Sequence, residues 1–413
     1  MSNKNRIVLL LLVMMVTCLS CKKPSATITS QPIPFSSLPR YAQGIDQPEN
    51  SWFFQIPSSQ NQPNKSISLQ SDPEGNVFFI SRDQLFYSLS QTGELRWKKE
   101  GGFRPLLCLA DNNSLMTYRD DIKLYNRDGN IKSIWIETGE TFLGPDGCIY
   151  TTLPSEDNKM IIFSSLDSQG DLRWKAPYQV RYGGSVVVHG VWFDTDNNVY
   201  FFVEDTSEDK KFYDITLFSF SATGTPRWKK NFPNHKTAGF PFNQVFQSFI
   251  MLPLHTISDE EIQPNKSKWL VGLNQNGDEI WRKEENRDGL YPVPFQTCPN
   301  GQVITALSSM EEDASYVTSY NHLGEVIWER KLVGRDISPI QVDRDNHVYI
   351  AAGGMNGDRY LYAFYPDGAT KWKLKIPSPL GTKVETLYLG NDRSLYLTLL
   401  DKNSLFKISQ ANP

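Results

Sequence analysis

The sequence predicts an all-β body built as a single ring of four-stranded antiparallel sheets. Three observations carry that expectation. A hairpin signature, in which apolar–polar alternation breaks at a Gly turn and resumes into a Trp, recurs along the chain. Successive Trp residues of the signature lie 38 to 54 positions apart, the length of one four-stranded sheet. No long apolar pattern of helical period competes with the strands. Hydrophobic residues form 39% of the 413-residue chain, with 12% aromatics, which supplies a core and excludes a disordered chain.

The chain opens on a targeting segment. Lys4 and Arg6 precede an unbroken apolar run from Ile7 to Val16. A helix of that length spans about 15 Å, half a bilayer core, so it reads as a signal-peptide core and not a membrane span. Leu19-Ser20-Cys21 follows and resembles the lipobox of bacterial lipoproteins. The resemblance implies cleavage before Cys21, with lipid on its sulfur and an acyl group such as palmitate on its new amine. Cys18 stands where Leu is usual, and is the alternative attachment point, although Thr17 before it suits the peptidase less well than Ser20. Lys22 is not the Asp that the family links to inner-membrane retention, so the outer membrane is the expected address, facing periplasm or surface. Multiple acyl chains anchor stably where one is marginal. Residues 21–49 are rich in Pro, Ser, Thr and Gln without periodicity, and read as a tether.

From about residue 50 to 410 the repeat takes over. Its hairpins run QTGELRW to Trp97, RDGNIKSIW to Trp135, SQGDLRW to Trp174, ATGTPRW to Trp228, QNGDEIW to Trp281, HLGEVIW to Trp328 and PDGATKW to Trp372. Three residues separate Gly from Trp in all but the Gly129 unit, which carries two more. Upstream of most hairpins stands an acidic or Gly turn before an apolar strand, at Asp72, Gly144, Asp194, Asp343 and Gly390. The fifth unit, with QVFQSFIML before Trp281, lacks that turn. Each sheet has two apolar faces and needs a neighbour on both, which a closed ring provides. This is the β-propeller arrangement. After Trp372 the strands at Leu387, Leu395 and Leu405 end without a Trp strand, whereas Ser51 to Ile56 is a Trp strand with no hairpin before it. The N-terminal strand is therefore expected to close the last blade, giving eight.

LYAFYPDGATKW and its siblings resemble the PQQ-type β-propeller repeat, over about residues 50 to 410. Eight-bladed members of that family include quinoprotein dehydrogenases and the BamB-type lipoproteins of outer-membrane barrel assembly. The resemblance implies the fold, and it leaves activity open. This chain has one residue fewer between Ala363 and the turn Gly than the dehydrogenase version.

Residues suited to chemistry are sparse. The recurrent Trp residues are expected to pack between sheets, since one binding site would not repeat an aromatic in every unit. The turns at Asp194-Thr-Asp196-Asn-Asn198 and Asp343-Arg-Asp345-Asn346 resemble the start of a calcium loop but lack its closing Glu, and Asp and Asn also suit tight turns. His189, His235, His255, His322 and His347 are scattered, which argues against a histidine-built metal site. Cys108, Cys148 and Cys298 lack the adjacent pair of quinoprotein alcohol dehydrogenases; a Cys108–Cys148 disulfide is one reading, and small buried hydrophobes the preferred one. No nucleophile elbow, zinc motif, phosphate loop or CxxC pair occurs. No catalytic, cofactor or metal residue is therefore assigned, and the only assigned site is the lipid attachment at Cys21. With a formal charge of −4 and no basic stripe, nucleic acid is not an expected partner. Three polar insertions, Glu204 to Asp214, Pro253 to Ser267 and Ser308 to Ser315, connect equivalent strands of consecutive units and mark a loop face for binding.

These readings converge on a non-enzymatic, monomeric envelope lipoprotein that binds another envelope protein, with outer-membrane protein assembly as one setting. The alternatives are a quinoprotein-like oxidoreductase and a carbohydrate-binding or carbohydrate-active surface propeller, for which Phe212, Tyr213 and Tyr316 are the aromatic candidates.

Overall fold

The computed structural model describes residues 33–34, 52–56, 68–81, 85–100, 107–108, 114–118, 122–135, 140–155, 159–168, 170–181, 183–208, 213–237, 245–246, 250–256, 268–285, 290–309, 311–354, 358–376, 384–399 and 404–408. The signal segment, Cys18, Cys21, Phe212 and the insertion between 257 and 267 lie outside the described residues. Every regular element among the described residues is a strand.

These strands fall into eight sheets, mostly of four antiparallel strands in sequence order. Sheets are numbered here along the chain, and the strands of each from first to fourth. Sheet one joins Ser68–Ser71, Val77–Ile80, Leu85–Leu89 and Leu95–Glu100. Sheet two begins at Leu107–Cys108 and ends at Ile131–Trp135. Sheet three runs from Glu140–Leu143 to Leu172–Gln179, and sheet four from Gly183–Asp194 to Pro226–Pro233. Sheet five runs from His235–Thr237 to Glu279–Glu285, and sheet six from Leu290–Thr297 to Val326–Val333. Sheet seven ends at Thr370–Ile376.

Sheet eight is composite. Trp52–Gln55 pairs antiparallel with Ser404–Ile408, in the register Trp52 to Lys407 and Phe54 to Leu405. Val384–Leu389 and Leu395–Leu399 complete it, and Ile33–Pro34, within the expected tether, adds an edge strand. Proline is tolerated there because an edge position needs no donor on its outer side.

The core is a series of slabs between neighbouring sheets. Phe163, Phe201 and Phe218 fill the space between sheets three and four. Ile304, Ile350 and Phe364 do so between six and seven, and Leu361, Leu397 and Phe406 between seven and eight. Phe54, Phe79, Tyr87 and Leu405 fill the slab between eight and one. Tyr388 reaches across that last junction to Gln70, and Asn391 to Ser71.

Two irregularities correct the sequence reading. In sheet two the strand register puts Ser133, not Trp135, opposite Leu124, the place that Trp97 holds in sheet one opposite Ser88. The two extra residues of the Gly129 unit thus carry its Trp one pleat further along the strand. In the fifth unit, Val245–Phe246 does not build the missing turn. It pairs parallel with the first strand of sheet four, at Phe193 and Asp194.

Candidate functional site

The hairpin between third and fourth strands sets the geometry. Beside its Trp the fourth strand carries a β-bulge in sheets one and three to seven, and in sheet two the bulge stands beside Ser133. Ser219 pairs with Trp228 and Phe220 with Pro226, leaving Arg227 as the extra residue. A bulge turns the side chains of its two residues toward the same side of the sheet. The bulged residue is Arg96, Lys132, Arg173 and Arg227 in sheets one to four, and Lys371 in sheet seven. In sheets five and six it is Ile280 and Ile327.

The Trp beside it is a wedge into the next sheet. Trp174 lies on Gly224, where an added Cβ would stand 2.4 Å from the ring, and the backbone there has φ of 84°. Its indole N–H donates to the Ala222 carbonyl at 3.2 Å. Trp52, Trp97, Trp228, Trp281 and Trp328 repeat the contact on Gly93, Gly129, Gly277, Gly324 and Gly368. Each donates to the carbonyl two residues before that Gly. Trp52 thereby joins sheet eight to sheet one by the same rule that joins the others. A structural role accounts for these aromatics.

The bulged cation closes a charged latch with the turn between first and second strands. In sheet four, Asp194 Oδ1 accepts the N–H groups of Asp196 and Asn198. Its Oδ2 accepts the Tyr200 hydroxyl at 2.8 Å, and Arg227 donates to the Tyr200 oxygen at 2.8 Å. Burial first, then the Asp194 bond, raises the Tyr200 phenol above its ordinary range. Sheet three makes the latch with Asp146, Tyr150 and Arg173; sheet eight, whose fourth strand has no bulge, makes it with Asp392, Tyr396 and Lys407 of its third strand. In those two sheets a Gly opens the turn because the carboxylate occupies its Cβ space, 2.5 Å away at Gly144 and 2.6 Å at Gly390. That explains why the turn box is acidic or Gly. Sheet seven uses Asp343 and Tyr349, with His347 donating to Asp343 where sheet four has Asn198. Burial opposes the Asp343 charge, but the bonds from His347 and Tyr349 hold its carboxyl below the usual range.

Asp343, Asp345 and His347 bring three ligand atoms within 4.8 Å of one another. The latch uses both Asp343 oxygens, and Asp345 stands 3.8 Å from Arg393. Asn197 and Asn346 take φ of 60° and 65° in these turns, the left-handed conformation that Asn tolerates. Both Asp-rich segments act as turns.

Sheets five and six abandon the latch. In sheet six, Cys298 opens the turn, Ile304 replaces the Tyr and Ile327 replaces the cation. In sheet five, Met251 holds the Tyr position and Ile280 that of the cation. Both Ile side chains remain exposed, at 43% for Ile280 and 44% for Ile327. The turns they approach have changed with them. Leu323, 56% exposed, sits beside Gly324 under Trp281, and Tyr365, 43% exposed, opens the turn under Trp328. The equivalents of Tyr365 are Ser90, Asn126, Asp167, Ser221, Asn274 and Asn321, whose side chains accept turn N–H groups. Ile280, Leu323, Ile327 and Tyr365 thus expose apolar side chains at the hairpin-turn ends of sheets five, six and seven, a seam in which the Tyr365 ring also carries Lys371. Val326 extends it, although sheets two and three also expose an apolar residue there, Ile131 and Leu172.

The opposite end of the sheets holds a second polar cluster. Asp205 and Asp214 face each other across adjacent strands of sheet four, both buried. Arg181 stands on the connector between sheets three and four, its N–H donating to Asp205 at 2.6 Å and its guanidinium pairing with Asp214. These carboxylates flank the first insertion, and the pairing works as a clasp between sheets. The insertions themselves are shorter as loops than expected. Strands Val199–Ser207 and Tyr213–Phe220 absorb most of the first. Val303–Ser309 and Ala314–Tyr320 leave only 310–313 of the third. Burial is nearly continuous along these four strands, so both of their faces find neighbours. Tyr213 is buried, and Tyr316 lies under Lys331 with its hydroxyl bonded to Glu312, so neither offers an open ring face. Cys148 and Cys298 are free thiols, which excludes a Cys108–Cys148 disulfide. Burial, with Asp146 beside it, pushes Cys148 up to about 11; burial, then the Asp343 charge, takes Cys298 to about 12. Neither thiol ionises near neutral pH.

No protein-family model matches the sequence, and no curated protein matches it. Solved structures do resemble the fold. The C-terminal WD40 domain of Sif2 is similar with a TM-score of 0.52 at 12% identity, covering 86% of this chain and 99% of that one. The fold is a β-propeller. The Dos1 propeller is similar at a TM-score of 0.49 and 12% identity, over 86% of this chain and 95% of that one. BamB from Moraxella catarrhalis is similar at 0.47 and 14%, over 86% and 99%. On this propeller, the sequence flagged the Trp and Asp positions that turn out to be structural. The exposed seam it missed is visible only as the dipeptides before Trp, RW giving way to IW.

Proposed function

We propose that this chain is a non-enzymatic, lipid-anchored protein of the bacterial cell envelope whose eight-bladed PQQ-type propeller is a protein-binding scaffold. The observation that carries the reading is the apolar seam. Four positions that are cationic or polar in sister units become Ile280, Leu323, Ile327 and Tyr365, and all stay exposed. Exposing such side chains together costs solubility, and contiguous apolar patches on soluble surfaces mark interaction sites. The acidic groups most suited to chemistry are held in latches and a clasp, which favours a scaffold over a catalyst. Support for the anchor is the Ile7 to Val16 run before Ser20-Cys21.

Two experiments test this. The full chain, captured from detergent-solubilised membranes, should retain a stoichiometric partner that an I280R/I327R variant loses; equal recovery by both would overturn the scaffold reading. Radiolabelled palmitate should enter the wild-type chain and not Cys21→Ser; label in both would move or remove the anchor.

A further inference from the structure

Resting on the scaffold reading, we infer that the seam receives an extended, basic segment of a protein partner, with aliphatic side chains alternating with Lys or Arg. The first argument is charge. Asp278, Glu325 and Asp367 stand on the three turns that border the seam. They accept bonds only from neutral donors: Asn274 Nδ2 at 3.1 Å, Asn321 Nδ2 at 2.7 Å and the Ala369 N–H at 2.9 Å. In sheets three and four the bulged Arg answers the carboxylate of its own first turn, and at the equivalent Ile280 and Ile327 places that positive charge is gone. The nearby cations are already engaged. Arg282 is paired with Glu279, Arg330 donates to the Gly368 carbonyl, Lys283 covers the Tyr320 ring, and Lys371 lies over the Tyr365 ring and beside His347. Three carboxylates beside an apolar strip therefore await positive charge from outside.

The second argument is the sheet edge. Val326–Val333 ends its sheet, with no strand beyond it in the hydrogen-bonded order. Natural edges are blocked by charge or Pro at positions that would face an incoming strand. Here the charged residues Glu329, Arg330 and Lys331 stand further along the strand, and its first two residues, Val326 and Ile327, are apolar and exposed. An extended segment can pair along that edge while its aliphatic side chains enter the seam, the strand-addition mode of peptide recognition. Its basic side chains then reach the turn carboxylates.

The test uses the full chain and a fluorescent peptide alternating Leu and Lys, with a Leu–Glu peptide as counterpart. The Leu–Lys peptide should bind, more weakly as salt rises. Affinity should fall about tenfold in D278K/E325K and about tenfold in I280R/I327R, and be unchanged in L172R, on an exposed position of sheet three. Melting temperatures of all variants should match wild type, since every substituted side chain is exposed and sister units carry Arg or Lys at the 280 and 327 places. Equal binding of both peptides, no binding of either, or no effect of D278K/E325K would overturn the inference. If partner capture from membranes still requires Ile280 and Ile327 in that event, the scaffold reading stands and only the charge class fails.

Discussion

Sheets four and six fold from the same repeat and solve its turn end in opposite ways. Sheet four ties Asp194, Tyr200 and Arg227 into one hydrogen-bonded chain, and the cation lies across its own sheet. Sheet six has Cys298, Ile304 and Ile327 at those places, all three changed together. Ile304 is buried and replaces one core contact with another, whereas Ile327 is left facing solvent. A carboxylate or cation left without a partner is costly. Sheet six has none of the three, whereas sheet one keeps Asp72 and Arg96 with Phe78 at the Tyr place, and there Arg96 donates to Ser88 and Arg127 of sheet two stands 3.9 Å from Asp72. The comparison teaches that the latch is dispensable for the wedge. Trp328 still sits on Gly368 and donates to Pro366. What sheet six lacks in polar closure it presents as surface.

Four perturbations break or sharpen that contrast. The largest effect is expected at the wedge that six of the sheets share: Trp52→Ala should cost about 3–5 kcal/mol in urea unfolding, because it empties the slab between sheets eight and one. Next comes Cys298→Asp, which buries a carboxylate with neither Tyr nor cation and should cost about 3 kcal/mol. Adding I304Y and I327R should recover about 1–3 kcal/mol of that loss as a coupling energy, and a purely additive result would break the idea of a three-residue set. Smaller still, Tyr200→Phe should cost about 1–2 kcal/mol in sheet four. Ile327→Arg alone should change stability by less than about 0.5 kcal/mol.

The smallest effect is in acid. Burial opposes the Asp392 charge, but Lys407 and Ser394 hold its carboxyl below the ordinary value. A folded-state value below the unfolded one contributes stability that is present above pH of about 4 and lost as pH falls through the folded value. The stability gap between wild type and Lys407→Met should therefore be widest near neutral pH and narrow below about pH 4, as read from urea midpoints.

Much of the fold was legible because its rules are local. Alternation around QTGELRW or PDGATKW specifies a hairpin whatever surrounds it, and the orphan Trp52 strand needed only its missing hairpin. The role of the Trp residues followed from their recurrence. The bulge was not legible, since GELRW does not announce that Arg96 and Trp97 face the same way. Without it, the change from Arg227 to Ile280 reads as drift. The Asp205 and Asp214 clasp was hidden for another reason: the pair depends on a register set across an insertion, and on Arg181 from the connector between sheets three and four. Ser133 taking the Trp place is likewise a matter of register, and sequence spacing pointed to Trp135 instead.

The central claim is that the seam across sheets five to seven is a partner's seat and not a defect. A photo-crosslinking amino acid placed at Leu323, and in a separate chain at Leu172, tests it in intact cells. The account predicts one discrete adduct of the full chain at position 323 and none at 172. Adducts of equal yield at both positions, or none at 323, would contradict it.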